Sequence, residues 1–268
     1  MLVDTHCHIQ SIAVNVGEEH TRELWQKSKL TPEEVITNAQ AAGVYQLICV
    51  GCDLIDSQLA VDFVKDRPPC FASVGIHPHE AQHFADDRSK LLEFKKLVKQ
   101  PKVVAIGECG LDYYYLHSNK ADQLKILRFQ IELALEHCRP LIFHVRQAFD
   151  QFWPVLDSYP PLKGVVHSFT DNQSNLEQAL KRGLYVGVNG IATFAKDETL
   201  LALYKRLPLE SLLLETDAPF LTPTPYRGSI NEPKRLRVIA EFLADLRGED
   251  QVMLENVTSQ NAQALFGL

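Results

Sequence analysis

Short apolar runs alternate along the chain with longer stretches whose apolar positions recur three and four residues apart. The runs are LVDTHCH (2–8), LICVG (47–51), CFASVGIHP (70–78), KVVAIGECG (102–110), LIFHVR (141–146), GVVHSF (164–169), LYVGVNG (184–190) and LLLETDAP (212–219). Most are β-branched and apolar, as parallel strands buried on both faces should be. Between them, TPEEVITNAQAAG (31–43) predicts a helix with Thr31 as N-cap, Pro32 in the first turn and Gly43 as the stop. The same spacing predicts helices over 56–66, 87–100, 119–138, 172–183, 197–207, 233–248 and 255–267. The segment 147–159 is broken by Pro154, which removes a helical donor.

Eight strand-then-helix units in 268 residues match a single-domain (β/α)8 TIM barrel spanning residues 1–268. The alternative is a doubly wound open sheet. It would carry a glycine-rich phosphate loop after the first strand, where this chain has THCHI. There is no internal repeat, low-complexity segment or interdomain linker. TPTPYRG (222–228) is proline-rich but short, and reads as a structured loop.

The barrel reading gives the unusual polar residues a common location. His6 and His8 fall at the end of strand one, His77 at the end of strand three and Glu108 at the end of strand four. His144 and Arg146 end strand five, His167 ends strand six and Asp217 ends strand eight. In a barrel these ends open onto one face, the face that carries active sites. His6 and His8 share one side of their strand by alternation, and Cys7 points the other way into packing. Glu108 and Asp217 each sit in an apolar setting, where an unpaired carboxylate costs roughly several kcal/mol to bury. Four imidazoles and two carboxylates are enough for two divalent ions. Mixed nitrogen and oxygen donors suit zinc, manganese, nickel or iron, and magnesium with more waters. Such a site can hold a hydroxide between its ions and stabilise both oxygens of an in-line displacement at phosphorus.

Composition narrows the classes further. The net charge of −7 argues against a protein that coats long nucleic acid through backbone charge. It leaves room for an enzyme that neutralises a few phosphates locally. Apolar content of 46% and charged content of 23% allow a sizeable core. The start of the chain has no basic n-region, and Asp4 and His6 interrupt its apolar run, unlike a signal peptide. No apolar run approaches the roughly 18 residues of a membrane span. The six scattered cysteines read as reduced, mostly buried thiols of a cytoplasmic protein. Cys49 and Cys52 form one C-x-x-C with no second pair. Nothing in the sequence calls for an obligate protein partner.

The stretches VDTHCH, GIHPHE, IGECGLDYY, FHVR, VVHSF, LLLETDAP and PYRGSINEP resemble, in this order, those of the TatD family of metal-dependent deoxyribonucleases, within the amidohydrolase superfamily of barrels. The resemblance implies one metal held by His6, His8, Glu108 and Asp217, and another held by Glu108, His144 and His167. Glu108 would then bridge, and Asp217 would also act as general base. It further implies hydrolysis of phosphodiesters in DNA, as a 3′-to-5′ exonuclease preferring single strands. His77 and Arg146 are candidates for the phosphate or the leaving oxygen. Arg227 is a candidate either for phosphate or for pinning the loop after strand eight. Tyr113, Tyr114 and Tyr115 follow the glutamate, and one could stack on a base.

The chain also departs from the family pattern. HSFTDN places Asp171 near the mouth, and Ser229-Ile230 stands where a basic residue is common. The loop after strand one looks long and carries Glu18, Glu19, Glu23 and Trp25, so it could lid the site or narrow the substrate range. Amidohydrolase relatives cleave amides, lactones or esters with the same chemistry, and a small substrate of that kind is the alternative function. A third reading, a scaffold with a purely structural metal, does not explain why no ligand position is lost.

Overall fold

A computed structural model of the chain describes residues 1–12, 14–17 and 19–268. Its strands and helices alternate as β1 (Leu2–Cys7), α1 (Glu19–Ser28), α2 (Pro32–Ala41), β2 (Val44–Val50), α3 (Leu54–Val64), β3 (Cys70–Val74), α4 (Arg88–Leu97), β4 (Val103–Asp112) and α5 (Lys120–His137). They continue as β5 (Leu141–Arg146), α6 (Phe149–Leu156), β6 (Gly164–Val166), α7 (Gln173–Lys181), β7 (Tyr185–Val188), α8 (Glu198–Arg206), β8 (Leu212–Leu214), α9 (Leu236–Arg247) and α10 (Gln251–Phe266). One parallel sheet runs in the order β1 to β8. It closes through a bridge between Cys7 and Ala218, giving the expected (β/α)8 barrel.

Local chemistry sets the helix boundaries. Thr31 and Glu34 form a reciprocal capping box, Pro32 opens α2, and Gly43 takes a φ of +83° just beyond it. Asp53, Asp87, Asn119, Asn172, Asp197 and Asp250 cap later helices, each accepting from a backbone N–H in the first turn. Two expectations need correcting. A helix forms across Pro154, because its missing donor orphans only the carbonyl of the exposed Asp150. The loop after β1 contains α1, whose weak apolar pattern rests on Thr21 and Trp25 as its buried residues.

The two faces of the strands bury different layers. Leu47, Cys49, Leu141, Phe143, Leu212 and Leu214 pack outward against the helices. Their alternates Ile48, Val50, Ile142, Val165 and Leu213 form a second cluster with Val3 and with Phe266 of α10. This inner layer shares its strand parity with Cys52, His144, His167 and Asp217, and so forms the floor beneath them.

The seam between β1 and β8 is joined largely by side chains. Asp4 is fully buried and accepts from the Thr216 amide at 2.9 Å and the Thr216 hydroxyl at 2.6 Å. The Thr5 hydroxyl donates to the Leu214 carbonyl at 3.0 Å. The His8 amide donates to Ala218 at 2.7 Å, and the Asp217 amide donates to His6 at 2.8 Å.

Candidate metal centre

Six of the eight strands end before their apolar runs do, three of them by three residues or more. β3 stops at Val74, β6 at Val166 and β8 at Leu214. His77, His167 and Asp217 therefore lie just past their strands, where the chain turns over the barrel mouth. Asp217 itself takes a φ of +56° and Ser168 a φ of +50°. β4 and β5 run further, and bring Glu108 beside His144. At Gly110 a Cβ would lie 1.8 Å from the His144 carbonyl oxygen, so only glycine lets these strands approach so closely.

Five of the six expected ligands line a cavity of about 880 Å³, and the sixth, His6, lies fully buried against them. Glu108 is the hub. Its Oε1 lies 2.7 Å from His144 Nδ1 and 3.2 Å from His167 Nε2, while its Oε2 lies 3.3 Å from His6 Nε2. His6 Nε2 and His8 Nε2 are 3.2 Å apart, and Asp217 Oδ1 lies 3.7 Å and 3.3 Å from them. The two oxygens of one carboxylate thus face different imidazoles, Oε1 toward His144 and His167 and Oε2 toward His6, although the His6 and His167 rings stack at 3.9 Å.

Hydrogen bonding identifies which nitrogens carry lone pairs. His8 Nδ1 lies 2.8 Å from the Val50 carbonyl, which can only accept, so Nδ1 holds the proton and Nε2 of the neutral ring is bare. That bare nitrogen faces both Asp217 and His6. His167 Nδ1 donates to Glu215 Oε1 at 3.1 Å, and leaves its Nε2 bare toward Glu108. Lone pairs aimed at carboxylate oxygens repel unless a cation or a proton lies between them. The donor set therefore fits a divalent metal.

Without metal, protons take that place. Burial opposes charge on His8, yet Asp217, Glu108 and Asp56 push its pKa up to about 9. His167 rises well above the ordinary histidine range: burial again opposes, and Glu215 and Glu108 prevail. His144 is raised against burial by Asp112 and Glu108. Glu108 falls well below the usual carboxylate range, because His167, His77 and His6 outweigh its burial. Asp217 is lowered against burial by His8, His6 and His167.

His77 differs from the ligands. Its Nδ1 accepts from the His79 amide at 3.2 Å, so the proton of the neutral ring sits on Nε2, 3.5 Å from Glu108 Oε1. Burial, with help from neighbouring His144 and His79 and against the pull of Glu108, lowers its pKa to about 4. At neutral pH it is an uncharged N–H donor facing the cavity. Arg146 also lines the cavity. Arg227 does not. Its Nη1 donates to the Thr222 carbonyl at 2.8 Å and its guanidinium lies 3.9 Å from the Phe194 ring, so it pins the loop after β8. Asp171 is likewise turned away, accepting from the Asn172 amide and the Asn175 side chain beside α7. The segment around α1 joins the wall through Gly17, His20 and Thr21. Trp25 anchors it, donating to the His8 carbonyl at 2.9 Å. Glu18 lies outside the described residues.

Three functional neighbours escape the motif reading. Glu215 orients His167 and also accepts from the Ser168 amide at 2.7 Å. Asp112 Oδ2 lies 3.2 Å from His144 Nε2 and 3.0 Å from His79 Nε2. Cys52 Sγ approaches Glu108 Oε2 at 3.9 Å. Loss of a group that orients a metal-binding imidazole costs about 10–100-fold in metal affinity. Glu215→Gln is expected to weaken metal binding by that factor in a calorimetric titration, without changing the thermal unfolding of the metal-free chain by more than a few degrees.

Comparison with known proteins gives consistent likenesses. The family model described as TatD related DNase matches residues 3–267. An uncharacterized metal-dependent hydrolase of Bacillus subtilis, YabD, is 33% identical over 99% of both chains. A 3′-5′ ssDNA/RNA exonuclease, TatD, of Citrobacter rodentium is 37% identical over 88% of this chain and 92% of its own. The crystal structure of YJJV, a TatD homolog from Escherichia coli K12, superposes with a TM-score of 0.85 at 26% identity, covering 100% of this chain and 98% of that one. Among the described residues, no helix is long and apolar enough to cross a membrane.

Proposed function

This chain belongs to the TatD related DNase family, and on that premise we propose that it is a binuclear exonuclease removing nucleotides from unpaired 3′ ends of DNA. The observation that carries the reading is the division of Glu108, with Oε1 toward His144 and His167 and Oε2 toward His6. One ion would be held by His6, His8, Asp217 and Glu108, the other by Glu108, His144 and His167. When bound, the metals supply Lewis acidity at the phosphoryl oxygen and lower the pKa of water at the site.

The chain's own groups do the rest. Asp217, kept ionised and open to the cavity, accepts the proton of the attacking water. His77 donates Nε2–H, and Arg146 presents its guanidinium, to the non-bridging oxygens and the departing 3′ oxygen. Glu215 and Asp112 hold His167 and His144 in orientation. The whole barrel serves as one catalytic domain, and six unpaired thiols suit a reducing cytoplasm.

The test follows nucleotide release from an oligonucleotide labelled at an unpaired 3′ end. Chelator is expected to reduce release to background, and added zinc, manganese, nickel or magnesium to restore it. Release that continues at the same rate after exhaustive chelation overturns the proposal.

A further inference from the structure

The loop that follows β4 exposes two aromatic rings, Tyr115 lining the cavity and Tyr114 packed beside it. Tyr114 and Tyr115 are 52% and 51% exposed, and the next residue, Leu116, is 46% exposed. Such large side chains are more often covered, so consecutive exposure at a cavity edge marks a surface built for contact. Tyr113 is different. It packs against the core under Lys120, which lies 4.2 Å from its ring.

The outward pair is held firmly. Asp112 Oδ1 accepts from the amides of both Tyr114 and Tyr115, each at 2.9 Å. The other oxygen of the same carboxylate holds His79 and His144. The rings are therefore registered, through one side chain, to an imidazole of the metal centre. They stand edge to face at 4.7 Å.

Arg146 completes the arrangement. Its guanidinium carbon lies 4.2 Å from the Tyr114 ring and 4.7 Å from the Tyr115 ring. Asp112 is its partner across the strand ladder, but that carboxylate is committed to the histidines. Among the described residues Arg146 makes no ion pair. A cation without a counter-charge, stacked on aromatic rings beside a phosphodiester-cleaving centre, matches both halves of a nucleotide. The phosphate pairs with the guanidinium and the base lies on the rings.

We propose that Tyr114 and Tyr115, braced by Arg146 and Asp112, form a stacking platform for an unpaired nucleobase flanking the scissile phosphate, and that this platform sets the preference for single strands. The inference rests on the exonuclease reading above. A base in a duplex has both faces covered by its neighbours, and only an unpaired, splayed base can use such a platform.

The experiment compares two oligonucleotides, one ordinary and one whose 3′-terminal nucleosides are abasic, with bis-p-nitrophenyl phosphate as a base-free control. Abasic substitution is expected to raise KM of the wild-type enzyme about ten-fold, as loss of one stacked base should. Tyr114→Ala combined with Tyr115→Ala is expected to raise KM about as much on the ordinary strand and to add little on the abasic one. Its kcat should fall far less than its KM rises, since both substitutions retain the amides that Asp112 uses to hold the strand end. Tyr114→Trp should keep the wild-type KM. Equal losses on both strands, or no loss on the ordinary one, overturn the platform alone. A wild-type enzyme that hydrolyses the control but releases nothing from either strand overturns the exonuclease reading and the platform with it.

Discussion

Glu108→Gln is expected to lower phosphodiester hydrolysis by about 10³-fold or more and to deplete bound metal, with the barrel still folded. Among the described residues Glu108 is the one carboxylate that reaches both donor sets, His144 and His167 through Oε1 and His6 through Oε2. Glutamine keeps the shape but offers a single acceptor, and its amide N–H groups cannot bind a cation. The negative charge that keeps the surrounding imidazoles close is lost as well. A loss of about 4 kcal/mol of transition-state stabilisation corresponds to the stated factor. Elemental analysis and kcat/KM, measured on the same preparation, check it. A variant with full metal content and wild-type rate would show that Glu108 does not bridge.

Asp217→Asn is the second large effect, and its signature differs. Asparagine can still sit beside His6 and His8 but cannot take a proton from water. A fall of about 10²–10⁴ in kcat is expected, the range typical of a lost general base, with a smaller change in KM. Metal content should fall less than in Glu108→Gln, because His6, His8 and Glu108 remain. The rate on a substrate with an activated leaving group, such as bis-p-nitrophenyl phosphate, should fall by a similar factor, since deprotonation of the nucleophile is needed in both reactions. Equal metal loss in the two variants would leave Asp217 as a ligand only.

Much of this centre is legible along the chain because barrel topology does the gathering. Once eight strands are recognised, His6, His8, Glu108, His144, His167 and Asp217 have one place to meet. The limits come from chain direction near the strand ends. His167 and Asp217 reach the cavity from turns with positive φ nearby, which hydrophobic patterning reads as more strand. Parity would have found two of the missed neighbours. Cys52 follows Ile48 and Val50 on the inner face, and Glu215 lies between Leu213 and Asp217 on the same face. Asp112 had no such signal, since β4 shifts register between Ile106 and Cys109 and alternation fails across it. α1 was hidden for another reason. It is held by the Trp25 indole bonded to a backbone carbonyl and by His20 against the Phe220 ring, with no apolar stripe to announce it. Arg227 was legible only as a choice, phosphate or its own loop, and a loop motif does not say which carbonyl its guanidinium will bond.

The side-chain closure between β1 and β8 links catalysis to the integrity of the barrel. His6 and His8 stand on one lip of that seam and Asp217 on the other, so a metal bound there sutures the first strand to the last. Ligand that binds only the closed form stabilises it by RT ln(1 + [L]/Kd), and here the suture falls where the fewest ladder bonds resist opening. Slow opening of the fold should begin at this lip, and amide exchange of β1 and of residues 214–218 should slow as metal is added. The cell's free metal concentration would then govern how long the enzyme survives as well as how fast it works.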